Sequence, residues 1–583
     1  MKCFWFGLRF DLTSIVISNI LFISLHLLPF SFFYTSIYQS VLRFLFLLIN
    51  SFNLLLNCID IGLFRFAGKR ATADVFRVMG FGNDFVNTVP KTLVDFWYVL
   101  LFLIFLIFLL FRLYPRLKSS KSNIRISTNL FYVTAIGGLM IIGWRGGIQY
   151  KPINIISASQ YGNAKMSALI LNTPFSFMKT YGRSELTLVH FMDDEQAFQL
   201  SPILHLPETK NAFRKLNVVV IVLEGFGKEY IGSLNNKTGY TPFLDSLILK
   251  SHCFPNAFAN GKRSIEGIPA IVAGIPALST EPYISSSYAG NTLTTLASTL
   301  NSKGYYSTFF HGGTNGTMGF DNFSSSSGFN RYFGRTEYNN DYDFDDHWGI
   351  YDEPFLQRTI VEMNKTEKPF LSVIFTLSSH HPYSIPDSYN NTFKVGSLPI
   401  HRSIQYADYS LRKFFEKAST ASWYDSTLFV ITADHTALSE NVFYQNRAGI
   451  YSIPIIYFSP ANIQPLIDST TTQQIDILPS ILDFLHYDEP FFAYGESIFN
   501  QHGRGFAINF MNDTYQLISG SHSLIMEPQG EYMFYDFKSD SSMSNNFGMM
   551  TPQSQHMSDK VKAFIQNYNR TMIENKMTIR LKE

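Results

Sequence analysis

Residues 217–223 read NVVVIVL, and Glu224-Gly225 follow at once. The run is too short for a helix and is almost entirely β-branched, so it reads as a strand buried on both faces. Comparable runs recur at 369–377, 427–432 and 453–458. Helical patterns lie between and around them, at 241–250, 292–303, 402–418 and 475–485. Strands bounded by helices predict an α/β domain with a mixed, largely parallel sheet. Ligands of such sheets gather at the carboxyl ends of the strands, so the polar residues after each run are where chemistry is to be sought.

Those positions carry unusual residues. Glu224 follows the first strand, His380 and His381 follow FLSVIFTLSS, and Asp434-His435 follow TLFVITA. A further polar group, GKRSIEG at 261–267, opens a predicted helix running to Ala273. Carboxylates with one imidazole suit a single divalent metal, Mn²⁺ first, with Zn²⁺ or Mg²⁺ as alternatives. A hydroxyl on that metal loses its proton more readily, which would make Ser264 a nucleophile. The helix N-terminus beside it offers N–H groups to phosphate oxygens. Each signal alone has a plainer reading. A serine at a helix start is by default an N-cap, a glutamate after a strand caps the next helix, and an Asp-His pair is often structural. Their conjunction on one sheet edge favours chemistry.

Upstream, four apolar stretches at 14–33, 40–58, 96–113 and 126–144 each approach the roughly 20 residues of a bilayer-spanning helix. The loop between the third and fourth holds Arg112, Arg116, Lys118, Lys121 and Arg125 and no acid, which predicts a cytoplasmic loop. Everything after Trp144 is then expected outside the cytoplasm. The organisation read from the sequence is a transmembrane domain over 1–145, an amphipathic juxtamembrane connector over 146–215 and a catalytic domain over 216–583. The segment 58–95 reads as an external loop with an amphipathic helix.

Composition excludes other classes. The 583 residues carry a net charge of +1, which gives no electrostatic footing for nucleic acid. Three cysteines, Cys3, Cys58 and Cys253, cannot build a disulfide framework or a thiolate zinc site. Aromatics reach 16%, with 56 phenylalanines concentrated toward the apolar N-terminal region.

Glu224, GKRSIEG, TLSSHHPY and ITADH, in that order, resemble the lipoteichoic acid synthase branch of the alkaline phosphatase and sulfatase superfamily. The resemblance is strong over 217–493 and loose over the membrane part. It implies metal ligands at Glu224, Asp434 and His435, with Ser264 both ligand and nucleophile where the family often has threonine. It implies contact of His380 with the transferred phosphoryl group and a substrate-side role for His311. Of Lys262 and Arg263, which flank the nucleophile, one is expected to bind a phosphate oxygen. Adjacent residues on an extended segment point oppositely, so one of His380 and His381 should face the site, and the motif favours His380. The aromatic residue and arginine of Gram-positive synthases are missing; Gly319 and Phe320 stand there.

The resemblance thus implies transfer of a phosphoglycerol- or phosphoethanolamine-type headgroup from a membrane phospholipid to an envelope glycan or lipid. A phosphodiesterase or phosphatase using water as acceptor shares the same serine chemistry. A sulfuric ester hydrolase needs a C/S-x-P-x-R motif, and Ser264 is followed by Ile265-Glu266-Gly267 instead. A non-catalytic membrane sensor or scaffold would be expected to lose a ligand, and all four are present. His347, Trp348, Asp352 and Glu353 read as loop packing, and Asp476 as a residue that orients a loop.

Overall fold

The computed structural model describes residues 2–27, 35–67, 70–73, 96–115, 126–149, 152–155, 157–158, 169–182, 186–207, 211–366, 369–500, 505–527, 530–548 and 551–579. Packing divides the chain into two compact units, Met1–Glu185 with Ser286–Asn291, and Leu186–Ser285 with Thr292–Glu583.

The first unit is helical: α1 (Lys2–Ser18), α2 (Ile20–Leu27), α3 (Ser36–Ala67), α4 (Trp97–Leu113) and α5 (Ile126–Arg145). Large apolar side chains such as Trp5, Phe44, Phe105, Phe108 and Leu139 are exposed on it, a surface suited to lipid rather than water. Ser36–Ile61 and Ser127–Arg145 are long and apolar enough to cross a membrane, and α4 is a shorter apolar helix. The first apolar stretch, expected as one span, is covered by a pair of helices bent by 62°, the form of a broken span or a re-entrant loop. Asn19 sits at the bend and donates its side-chain amide to the Ile15 carbonyl (3.0 Å). It also exchanges amide hydrogen bonds with Asn50 of α3, at 2.8 and 3.2 Å. Of the basic loop, Arg112 is described, while Arg116, Lys118, Lys121 and Arg125 lie outside the described residues, as does most of 58–95 beyond Ala73. The apolar residues of the connector pack back onto α1: Ile153, Ile155, Ile170, Leu171 and Phe175 form one core with Phe10.

The second unit is built on an eight-stranded sheet. Its strands are β1 (Asn217–Leu223), β2 (His252–Phe254), β3 (Tyr306–His311), β4 (Arg331–Phe333), β5 (Phe370–Phe375), β6 (Thr427–Ala433), β7 (Ile455–Phe458) and β8 (Leu466–Ile467). Their spatial order is β8-β2-β7-β6-β1-β5-β3-β4. β1 lies at the centre, parallel to β5 and β6, and β7 alone runs against its neighbours. Val218 through Leu223 are buried, as expected of a strand covered on both faces. An antiparallel meander, Ala507–Met511, Thr514–Ser519, His522–Met526 and Tyr532–Asp536, follows the sheet in sequence. The helix Pro552–Ile573 then clasps the segment that opens the unit. Gln566 Oε1 accepts the Phe191 backbone N–H (2.7 Å), and Asn567 donates to the carbonyls of Ala197 (3.0 Å) and Ser201 (2.9 Å).

Candidate active site

Register places the site. Leu223 pairs with Ala433 at the carboxyl ends of β1 and β6, so Glu224 and Asp434 leave the sheet side by side. His435 follows, and one donor atom each from Glu224, Asp434 and His435 lies within 4.8 Å of the others. Ser264 opens the helix Ser264–Ala273 and brings its hydroxyl into this group. Its Oγ is 3.1 Å from Glu224 Oε2, to which it donates, and 3.4 Å from His435 Nε2.

Ser264 is therefore not the N-cap that its position suggests. Arg263 occupies the cap, Ser264 is the first helical residue, and Glu266 reaches back to the N–H groups of Lys262 (2.8 Å) and Arg263 (3.1 Å). With the helix start satisfied by Glu266, the serine hydroxyl is left for the cluster. Gly267, one turn in, allows the helix to lie directly on the Asp434 backbone, since a Cβ there would be 2.2 Å from the Asp434 carbonyl oxygen.

The protonation pattern fits a cation. His435 Nδ1 is 2.8 Å from the Thr436 carbonyl, which can only accept, so Nδ1 carries a hydrogen and Nε2 is the nitrogen turned to the cluster. Asp434 Oδ1 accepts N–H groups from Gly225 (2.8 Å) and His435 (2.7 Å). Among the described residues its Oδ2 is buried without a hydrogen-bond partner, 3.3 Å from His435 Nε2. Burial, and next the adjacent Asp434 carboxylate, push the Glu224 carboxyl well above its ordinary range. Two buried carboxylates and an imidazole nitrogen facing one another could hold a divalent metal, and the orphaned Oδ2 is placed to take part.

The remaining sequence-derived residues sit differently. His380 is half-buried, with its ring 4.1 Å from that of Trp348. Its Nδ1 donates to the His381 carbonyl (2.8 Å), which also accepts Trp348 Nε1 (2.7 Å). Burial lowers its pKa, and it feels the charges of Asp434 and His435, whereas His381 is exposed. His311 is buried at the end of β3, stacked on Phe375 and bonded through Nδ1 to the Tyr332 hydroxyl (2.8 Å). Burial alone depresses its pKa to about 3, so it is neutral, and it is not part of the metal-type cluster.

Lys262 does not project into solvent. Its ammonium donates to Thr436 Oγ1 (2.7 Å) and the Ile450 carbonyl (2.8 Å), and burial lowers its pKa to about 8. Arg263 folds back on Glu266 (Nε to Oε1, 2.9 Å) and its side chain is 55% exposed. Asp352 is buried and accepts the N–H groups of Leu377 (2.8 Å) and Ser378 (3.0 Å), bracing the loop that carries His380. Asp476 is likewise buried, accepting N–H groups from Gln473 (3.0 Å) and Glu496 (2.9 Å). Sequence reasoning passed over Gly267, Thr436 and Gln474. Gly267 alone left a visible trace, a glycine in the interior of a predicted helix.

Comparison with known proteins agrees with this architecture. Residues 216–487 match the family model described as Sulfatase. Lipoteichoic acid synthase-like YvgJ of Bacillus subtilis (strain 168) is 23% identical over 292 residues, covering 46% of this chain and 47% of its own. Lipoteichoic acid synthase 2 of the same organism is 24% identical over 375 residues, covering 59% and 56%. The chain thus spans about half the length of the curated relatives it matches. Among solved structures, an alkaline phosphatase superfamily protein from Vibrio parahaemolyticus superposes with a TM-score of 0.60 at 23% identity, over 69% of this chain and 99% of that one. The lipoteichoic acid synthase LtaP from Listeria monocytogenes superposes with a TM-score of 0.57 at 16% identity, over 66% and 98%. Residues 216–487 are thus similar to the Sulfatase family, and the chain resembles lipoteichoic acid synthases over about half of their length.

Proposed function

We propose that the chain is a membrane-anchored, metal-dependent phosphotransferase. It moves a phosphoryl-linked headgroup, of phosphoglycerol or phosphoethanolamine type, from a phospholipid to an envelope glycan or lipid through Ser264. The observation that carries this reading is the convergence of the Ser264 hydroxyl on Glu224 and His435, beside the unpartnered Asp434 Oδ2. The relatives named as lipoteichoic acid synthases support the substrate class.

Glu224, Asp434, His435 and Ser264 would hold one divalent ion, Mn²⁺ by preference, which acidifies the serine hydroxyl and offsets phosphate charge. Ser264 Oγ then attacks phosphorus. The Oγ–P bond forms as the phosphorus–oxygen bond to the lipid alcohol breaks, and that alcohol leaves with a proton. The acceptor hydroxyl attacks the phosphoserine, loses its proton and frees Oγ. His380, with Nδ1 held as a donor by the His381 carbonyl, presents Nε2 for that proton traffic. Positively polarised N–H groups at the start of the helix Ser264–Ala273 favour the phosphoryl oxygens.

The membrane arrangement we infer is an up-down bundle whose N-terminal end and connector share one side. Arg9 of α1 bonds the Gly146 carbonyl, and Asn172 donates to Asp11 (2.7 Å). At the other end Tyr38 donates to the Leu25 carbonyl (2.9 Å), and Arg43 lies over Phe111 (4.4 Å). With the basic 112–125 loop cytoplasmic, residues from 146 onward lie outside.

The test is mass spectrometry of the intact chain in detergent after incubation with Mn²⁺ and single phospholipids. A mass increment on Ser264 equal to one headgroup phosphate is expected and identifies the donor. Lipid turnover without any adduct, in wild type or in a variant blocked in the second step, would replace the covalent route by direct attack of water.

A further inference from the structure

Behind the cluster lies a wholly buried amide whose hydrogen bonds go to backbone groups. Gln474 Nε2 donates to two consecutive carbonyls at the end of β6, Ala433 (2.7 Å) and Asp434 (2.7 Å). Its Oε1 accepts the backbone N–H of Asn260 (2.8 Å), just ahead of the nucleophile loop. Asn260 answers in kind: its Oδ1 accepts the Ile475 N–H (3.0 Å), and its Nδ2 donates to Gln473 Oε1 (2.8 Å) and the Ile508 carbonyl (2.8 Å). Gln474 and Asn260 are both fully buried.

We propose that Gln474 is a positioning residue that fixes the metal-ligand strand end and the nucleophile loop in one register, resting on the metal-dependent reading above. Three observations support a role tied to the site rather than to core filling. The amide spends both donors on the residue that carries a proposed ligand and on the residue before it. Its acceptor holds the segment leading to Ser264, which approaches from a different part of the chain. The Asp434 carbonyl that it grips is the same atom on which Gly267 rests, so Gln474 and the nucleophile helix bear on one oxygen from two sides. A shift of that oxygen moves Asp434 and the Ser264 helix together, and a metal site tolerates little such movement.

The experiment uses the full chain in detergent. Mn²⁺ affinity is measured by calorimetry for wild type, Gln474→Glu and Gln474→Met, beside melting in chelator and kcat and KM on a phospholipid. The glutamate keeps the shape but sets a carboxylate against two carbonyls; the methionine removes the hydrogen bonds without charge. Mn²⁺ affinity should fall about 10–100-fold in both, the range seen when partners of metal ligands are removed. kcat should fall with it and KM stay near wild type. Amide exchange on the unmodified chain gives a reading that needs no variant to fold: Asn260 N–H should gain protection when Mn²⁺ is added. Variants that bind Mn²⁺ as wild type does, or an Asn260 amide indifferent to Mn²⁺, would make Gln474 a core amide only. A wild-type chain that binds no Mn²⁺ overturns the metal reading itself, and the inference with it.

Discussion

Gly267 lies so close to Asp434 that a Cβ on it would fall 2.2 Å from the Asp434 carbonyl oxygen. The helix bearing the serine is thereby seated on the backbone of a proposed metal ligand. On helix propensity alone, Gly267→Ala should gain up to about 1 kcal/mol. The clash is with backbone and cannot be relieved by a rotamer change, so the helix has to move. Mn²⁺ affinity and turnover should both drop at least about tenfold, as read by calorimetry and lipid-release assay. A variant with wild-type affinity would show that the seat is not needed.

Ser264→Ala removes a hydroxyl that is aimed at Glu224 and His435, while the helix start is held by Glu266. The melting temperature in chelator should therefore hardly change. Turnover should fall by orders of magnitude, because the two-step covalent route is lost. Ser264→Thr should keep part of the activity, since threonine supplies the same hydroxyl. Undiminished turnover in the alanine variant would assign the chemistry to water.

Asp434→Asn separates metal binding from folding. The amide oxygen can still accept from Gly225 and His435, while the amide nitrogen replaces the unpartnered Oδ2 and can donate to His435 Nε2. In chelator the variant should melt no lower than wild type, since a buried charge is relieved. The stabilisation that wild type gains from added Mn²⁺ should vanish. Scanning fluorimetry with and without Mn²⁺ reads both.

Asp352 gives a pH signature. Burial raises its carboxyl from 3.8 to about 6, against the pull of the Leu377 and Ser378 N–H groups. The folded chain thus holds this proton more tightly than the unfolded one. Its contribution is complete below about pH 4 and is lost as pH rises through about 6, by up to roughly 3 kcal/mol. Asp352→Asn keeps an oxygen for both N–H groups and does not titrate. The difference in stability between wild type and variant should therefore drift toward the variant between pH 4 and 6 and level off above. A flat difference would place the ionisation elsewhere.

Topology is tested by reporters. A fusion after Glu583 should be active only with a reporter that works outside the cytoplasm, and one inserted at residue 120 only with a cytoplasmic reporter. The opposite pattern would reverse the bundle.

Much of the site was legible because it obeys strand-end logic. NVVVIVL and TLFVITA announce buried parallel strands, and the residues that follow them are the ones the register brings together. What the sequence hid depends on three-dimensional neighbours. Ser264 reads as a cap until Glu266 is seen to do the capping. Lys262 reads as a candidate phosphate contact, and the sequence gives no sign that its ammonium lies on Thr436 and the Ile450 carbonyl. Gln474 sits in QQIDILPS with nothing to mark it, because its partners lie 40 and 214 residues away. The bend at Asn19 is hidden for a similar reason: hydropathy sees an unbroken apolar stretch, and the amide at the bend is paired with another helix.

The clasp between Gln566 and Phe191 joins positions 375 residues apart. A ribosome working from the N-terminus makes Phe191 long before Gln566, so the opening segment of this unit waits for its partner throughout synthesis of the sheet. If the unit is exported as it is made, the clasp can close only on the far side of the membrane. The finished fold would then appear only on that side, and the unfinished chain would stay open enough to be threaded across.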